Sequence, residues 1–223
     1  MVNTNFKIEY EALNLGIVNS ISKQHHNILD VGCGTGNLGA YLKTIQLAKV
    51  DGITYSKEEA EYCYEKLDHV YICDLNNFDT EEILGKNYNC IICSHILEHL
   101  NEPWHLIKKL ENLLSINGEL IIAIPNIMFY KHRLQLLKGD FSYSLTGGIF
   151  DITHYRFFDW NSTSLLLSQT NLKLIEKYGN GNFPLPFIRR FFPKLGAKID
   201  LFFVKKFPNL FSEQFIIKLL KHK

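Results

Sequence analysis

Short runs of consecutive apolar residues alternate along the chain with segments in which apolar residues recur every three or four positions. Ile28, Leu29 and Val31 form the first run, and Leu38, Leu42 and Ile45 follow at helical spacing. Next come a strand at Lys49–Thr54 and a helix opened by Ser56, with Glu59 three residues on as a capping box. A strand at His69–Cys73, a short acidic helix near Asp79–Leu84 and the strongly apolar strand Tyr88–Ser94 continue the series. A helix from about Pro103 places Leu106, Leu110, Leu113 and Leu114 on one face, and Gly118 introduces a strand over Glu119–Ile124. Residues 127–139 read as an amphipathic basic helix stopped by Gly139, residues 141–148 as a flexible flap, and a helix near Asn161 precedes a strand at Leu172–Tyr178. This order predicts an α/β fold: a mostly parallel sheet with helices on both faces, whose ligands gather beyond the carboxyl ends of the strands.

The chemistry-bearing segments fall at those strand ends. Asn27–Val31 runs into Gly32-Cys33-Gly34-Thr35-Gly36 and then into a helix, so a ligand can lie directly on backbone N–H groups. The carboxylate of an amino-acid-like cofactor suits that place, and Asp30 is positioned for its ammonium. Asp74 follows the third strand, where it can accept a hydrogen bond from an adenine amino group or cap the next turn. Ser94 and His95 end the fourth strand, and Pro125-Asn126 ends the fifth.

Composition narrows the class. A chain of 223 residues, 46% of them hydrophobic, can bury a full core in one domain with an elaboration. No apolar run approaches the roughly 20 residues that span a bilayer, and the polar opening Met1–Asn5 does not read as a signal peptide, so a cytoplasmic protein is expected. Five cysteines without a framework read as free thiols, and strand alternation turns Cys90 and Cys93 to opposite faces. The net charge of +1 hides an asymmetry: residues 181–223 carry +7 and the first 180 carry −6.

Taken in order, Ile28–Gly36, Cys73-Asp74-Leu75, Ser94–Leu100 and Ile124-Pro125-Asn126 resemble motifs I, II, IV and V of class I S-adenosylmethionine-dependent methyltransferases. Phe150–Phe158 resembles the Asp-x-Thr-His-x-Arg-Phe-Phe segment of a bacterial branch associated with cell-surface polysaccharide synthesis. The resemblance covers about residues 25–180. It implies a Rossmann-like, seven-stranded sheet whose last strand, Ser212–Leu219, pairs antiparallel at the sheet edge. It also implies S-adenosylmethionine as cofactor, held by Asp30, Gly32, Cys33, Gly34, Gly36, Thr54, Asp74, Leu75 and Ser94. The family places an acid at the end of the second strand to grip the ribose; this chain has Thr54 there, with Ser56 or Glu58 as candidates to assist. For a hydroxyl acceptor, His154 is the leading general base and His95 the second, with Asn126 and Arg156 on the acceptor. His154 can instead pin its loop by bonding Asp151 or a backbone carbonyl, and Arg156 can instead pair with Asp151 or Asp159.

The expected organisation is a single domain over 1–223: a core of 25–180 plus 212–219, an acceptor-side lid of 127–158, and a basic, aromatic insertion of 181–210. The insertion mixes seven phenylalanines with Lys and Arg, which suits either an anionic membrane surface or a capping helical hairpin. Nucleic acid is not expected, because no recognised binding module accompanies the charge. The acceptor implied is a saccharide or lipid-linked saccharide. Rival readings are an NAD-dependent oxidoreductase using Gly34-x-Gly36-x-x-Gly39 with Asp51 on the ribose, a zinc hydrolase using His95, Glu98 and His99, and a scaffold without turnover. No metal is expected.

Overall fold

The middle of the sheet is made by the most apolar runs. β1 (Asn27–Val31) pairs in parallel with β2 (Lys49–Thr54) on one side and with β4 (Tyr88–Ser94) on the other. Because Ile28, Leu29, Val31 and Cys90–Cys93 are almost completely buried, both strands must be covered on both faces, as parallel strands are. With β3 (His69–Ile72), β5 (Leu114–Pro125), β6 (Lys173–Gly181) and β7 (Ser212–Leu220), the order is β3-β2-β1-β4-β5-β7-β6. The computed structural model describes residues 13–80, 83, 86–145 and 147–222. The opening Met1–Asn5, Glu81, Glu82 and Leu84 of the expected acidic helix, and Thr146 of the flap lie outside the described residues.

Two core clusters flank the sheet. On one face α1 (Leu15–Ser20), α2 (Asn37–Gln46) and α3 (Lys57–Cys63) bring Ile17, Leu42 and Cys63 against Ile28, Val50 and Cys90. On the other, α4 (Pro103–Leu113) brings Leu106, Ile107, Leu110 and Leu113 against Leu29, Ile91 and Ile122. Cys90 and Cys93 belong to opposite clusters, as period-2 alternation requires. Close approach needs glycine at one position in particular. A Cβ on Gly39 would lie 2.4 Å from Leu67 and 2.9 Å from Val50, so this residue lets α2 settle on β2 and serves packing.

Several elements depart from expectation. β7 is not the edge strand: it lies between β5 and β6, antiparallel to both. Phe215, Ile216, Ile217 and Leu219 are all buried, in keeping with that interior position, whereas β6 carries exposed Lys173 and Glu176 and takes the edge. Leu114 opens β5 instead of joining the helical face, and β5 runs through Gly118. α5 (Tyr130–Leu137) ends near Gly139 but buries none of its residues, so it is not the amphipathic helix expected. The 141–148 segment is tied back by a Ser144–Asp151 bridge, and Ser162–Leu167 is a 3₁₀ stretch. The 181–210 region is helical, as α6 (Pro186–Phe191), α7 (Pro193–Lys206) and α8 (Pro208–Phe211).

The interior placement of β7 sets a stability difference. Phe215→Ala removes a fully buried ring packed 5.4 Å from Trp160, between ring centroids, and should cost about 3–5 kcal/mol. Ile175→Ala, on the outer face of β6 with 42% exposure, should change stability by less than about 1 kcal/mol. Urea unfolding of the two variants checks this; comparable losses would place both residues in equivalent environments.

Candidate active site

Strand order reverses between β1 and β4, and a cavity of about 610 Å³ opens at their carboxyl ends. A second, of about 590 Å³, lies beyond β2 and β3 and is lined by Tyr55, Ser56, Glu58 and Asp74. Gly32, Gly34 and Gly36 all take positive φ, of 76°, 54° and 78°. That left-handed backbone turns the chain from β1 into α2 without the strain a side chain would add. The Gly32 and Cys33 amides both donate to the Ile53 carbonyl at 2.9 Å, so these two tether the loop to β2 and are not offered to a ligand. A Cβ on Gly34 would meet nothing within 4 Å among the described residues, and Gly34 lines the cavity. The Cys33 thiol is pushed up by its hydrogen bond to Cys63, Sγ to Sγ 3.8 Å, and by burial, and stays protonated.

Asp30 is 2% exposed and lines the larger cavity. Burial pushes its carboxyl up to about 7. A carboxyl so desolvated favours its charged form only when a cation meets it. At the end of β2 the Thr54 hydroxyl donates to the Glu59 carboxylate and accepts from the Ser56 amide, and it lines neither cavity. The first turn of α3 thus brings the Glu59 carboxylate to the Thr54 hydroxyl, although Glu59 itself lines neither cavity. Its signal was present but read as helix capping: Ser56 does cap α3 through the Glu59 amide, while the Glu59 side chain leaves the box for Thr54. The Glu58 carboxylate accepts from the Ser56 hydroxyl at 2.7 Å. Asp74 lines the second cavity and also caps its turn, accepting from Asn76 and Asn77, each at 2.9 Å. Leu75 packs in the core and lines neither cavity.

Ser94 and His95 line the larger cavity. His95 is held at φ 52°, a strained value for a residue with a side chain. Its Nδ1 lies 3.3 Å from Glu98 Oε1 and its Nε2 2.8 Å from Gln214 Oε1. Burial disfavours the charged ring, but the hydrogen bond and charge of Glu98, with Gln214, outweigh burial and hold the imidazole above its ordinary value. With both nitrogens facing oxygen acceptors, His95 acts as a donor. Glu98 is itself 1% exposed, and its Oε2 has no partner among the described residues. Its backbone carbonyl accepts from Tyr155 and Arg156, which fastens the 149–158 segment over the cavity.

That segment carries His154, whose Nδ1 lies 2.9 Å from the Ile149 carbonyl. A carbonyl only accepts, so Nδ1 carries the proton and Nε2 the lone pair. The expected alternative of a loop-pinning bond is thus present, and it leaves the second nitrogen available. His99 packs edge-on against His154, centroids 4.6 Å apart, and burial, opposed by the Glu98 charge, holds its imidazole below the ordinary value. Arg156 does not reach the cavity, nor Asp151 or Asp159. It donates to the Asn101 carbonyl at 2.5 Å and lies over Trp104, because the Glu98 carbonyl turns its backbone away. Asn126 is fully buried and spent on structure, donating to Asn209 and Ser212 carbonyls and accepting from the Met128 amide.

Two rivals fail on geometry. Asp51 is buried within β2, accepting from Tyr88 at 2.7 Å, far from a ribose at the strand's end, and Gly39 packs a helix. His95, Glu98 and His99 do not share a helix: the ring of His95 turns to Gln214, and Leu97–His99 is a single 3₁₀ turn.

A family model described as a methyltransferase domain matches residues 9–177. The (S)-tetrahydroprotoberberine N-methyltransferase of Eschscholzia californica is 29% identical over 130 residues, 55% of this chain and 36% of that protein. The ubiquinone biosynthesis O-methyltransferase of Glaesserella parasuis is 29% identical over 128 residues, 51% of each chain. The chain spans about a third to a half of the length of these curated relatives. Among solved structures, a SAM-dependent methyltransferase from Archaeoglobus fulgidus superposes with a TM-score of 0.63 at 17% identity, covering 89% of this chain and 87% of that one. The plantazolicin methyltransferase in complex with SAH gives a TM-score of 0.58 at 22% identity, covering 89% and 77%. Fold, strand-end acid and glycine loop agree with the family match, and the chain belongs to the methyltransferase-domain family.

Proposed function

We propose that the chain methylates a hydroxyl of a saccharide or lipid-linked saccharide, with His154 receiving the hydroxyl's proton. When bound, S-adenosylmethionine supplies a methyl group made electrophilic by its sulfonium. The protein's share is to align the acceptor, exclude water and take up a proton. For the cofactor, the buried carboxyl of Asp30 answers an ammonium, and the open backbone at Gly34 answers the methionyl carboxylate. Asp74 and Ser56 serve the nucleoside, and Glu58, at the same cavity, supplies the ribose carboxylate. The observation that carries the catalytic reading is the fixed tautomer of His154, with its Nδ1 proton on the Ile149 carbonyl and a lone pair at Nε2. His95, a donor through both nitrogens, orients and does not take the proton.

Residues 127–158 form the acceptor side of a single domain in this reading, where Lys131 and His132 from α5 line the cavity. Lys131 takes the part expected of Arg156 toward an anionic acceptor. The Asp151–Phe158 segment, similar to that of the polysaccharide-associated branch, supports a sugar acceptor. The helical 181–210 region supports a lipid-linked one. Phe183 stacks on Phe203 at 3.9 Å and both pack against Phe211, so part of the aromatic set is a hairpin core. Arg189 grips Asp200 through Nε and Nη2 at 3.1 and 3.0 Å, clamping α6 to α7. Phe187, Phe191, Phe192 and Phe202 are each more than half exposed, among exposed Arg190, Lys194, Lys198, Lys205 and Lys206. That combination suits the cytoplasmic face of an anionic bilayer. No helix among the described residues is long and apolar enough to cross a membrane.

Because the cofactor's ammonium binds ionised Asp30, affinity for S-adenosylhomocysteine should rise as pH climbs through about 7, with proton release below it. Calorimetry in buffers of different ionisation enthalpy reads both quantities, and Asp30→Asn should lose the pH dependence along with about tenfold or more in affinity. In the presence of EDTA, His154→Gln should lower kcat toward a hydroxyl acceptor by about 10²–10⁴ while S-adenosylhomocysteine binds unchanged. Equal turnover would remove His154 from proton transfer. Anionic vesicles should cosediment the protein at low salt and release it as salt rises. Phe191→Ser with Phe192→Ser should weaken that binding, and failure of the wild type to sediment would reject the membrane contact.

A further inference from the structure

Glu98, His99 and His154 bring one carboxylate oxygen and one nitrogen from each ring within 4.8 Å of one another, at the wall of the larger cavity. The hydrogen bonds around them determine what those atoms offer. The Thr153 hydroxyl donates to Asp151 Oδ1 at 2.6 Å, so toward His99 Nδ1, 2.9 Å away, it has only a lone pair. The Thr153 carbonyl, 3.2 Å from the same nitrogen, is likewise an acceptor. His99 Nδ1 therefore carries its proton, as His154 Nδ1 does toward Ile149. Each ring keeps a lone pair at Nε2. Glu98 Oε1 is engaged by His95, and its buried Oε2 has no partner among the described residues. Each of the three residues thus keeps an acceptor atom that no donor among the described residues meets, on side chains that lie together at the cavity wall. Such an arrangement is repulsive unless something cationic joins it.

We propose that Glu98, His99 and His154 form a binding site for one divalent transition-metal ion of the zinc class. Two neutral imidazoles and one carboxylate are a ligand set that zinc accepts, with a further position left for water or an acceptor oxygen from the cavity. Metal-bound histidines are held by hydrogen bonds from their other ring nitrogen, and here both Nδ1 groups already donate to fixed oxygens. Ligand bonds of about 2.0–2.2 Å would set neighbouring donor atoms about 3.4 Å apart, so side-chain rotation of roughly an ångström closes the site. Magnesium, which prefers six oxygens in octahedral geometry, is a poor match. The set differs from the His-x-x-Glu-His pattern in the sequence, since His95 is turned to Gln214 and His154 replaces it from a segment about 55 residues downstream. His154 Nε2 cannot hold a metal ion and receive a proton at once, so the role proposed above for His154 belongs to the metal-free protein. The site itself stands independently of the acceptor's identity.

The test uses the full chain without a polyhistidine tag, stripped with a chelator and titrated separately with Zn²⁺, Co²⁺ and Mg²⁺. We expect one Zn²⁺ per chain by calorimetry, Co²⁺ ligand-field bands without a thiolate charge-transfer band, and no comparable Mg²⁺ binding. His99→Ala and His154→Ala should each weaken Zn²⁺ binding by at least about tenfold. S-adenosylhomocysteine binding alike in all three proteins shows that the variants fold, and its loss in the wild type would speak against the cofactor pocket alone. Should either histidine variant misfold, Glu98→Gln with the same readout takes its place. Failure of the wild type to bind Zn²⁺ stoichiometrically, undiminished binding in the variants, or a thiolate band assigning the ion to Cys33 and Cys63 would overturn the site.

Discussion

The burial of β1 and β4 on both faces is the constraint on which the site depends. Strands flanked on either side by other strands and covered above and below by helices have no solvent-facing side chains along their length, so polar chemistry is confined to their ends. Asp30 and Ser94 sit at or next to the last positions of β1 and β4 for that reason. The same confinement desolvates Asp30 and makes it responsive to an incoming cation, which a surface carboxylate would not be. A binding pocket arises here because the core leaves nowhere else for these groups.

The second layer of the site comes from a segment distant in sequence. The Glu98 carbonyl holds the Tyr155 and Arg156 amides, and the Asp151–Thr153–His99 chain of hydrogen bonds holds the ring that faces His154. Burial raises the Asp151 carboxyl, but the hydroxyl and amide of Thr153 outweigh burial and keep it below the ordinary carboxylate range. An ionised Asp151 orients Thr153, and Thr153 decides which nitrogen of His99 is protonated. Asp151 and Thr153 therefore set the chemistry of His99 through hydrogen bonds.

The strand–helix succession, the glycine turn after β1 and the acids at strand ends were legible because each is a local property. Periodicity reports burial, glycine reports positive φ, and Ser56 reports a helix start. The edge position assigned to β7 was misread although its apolar run already pointed inward, since strand order is a matter of which surfaces meet. The hydrogen bond from Thr54 to Glu59 was not legible, because it forms only once α3 folds back on β2.

Sequence by itself determined the class of fold and the place of the strand-end loop, because backbone turns and burial patterns are written within a few residues, while the cofactor and its contacts were implied by the resemblance of the ordered motifs. Tertiary structure alone decided that Arg156 bonds the Asn101 carbonyl and Asn126 the Asn209 and Ser212 carbonyls, that both His95 nitrogens face oxygen atoms, and that Glu98, His99 and His154 converge. Tautomer, charge state and convergence depend on which acceptor lies within 3 Å or so of each polar atom. Those distances join residues about 55 to 120 positions apart, beyond the reach of any local pattern.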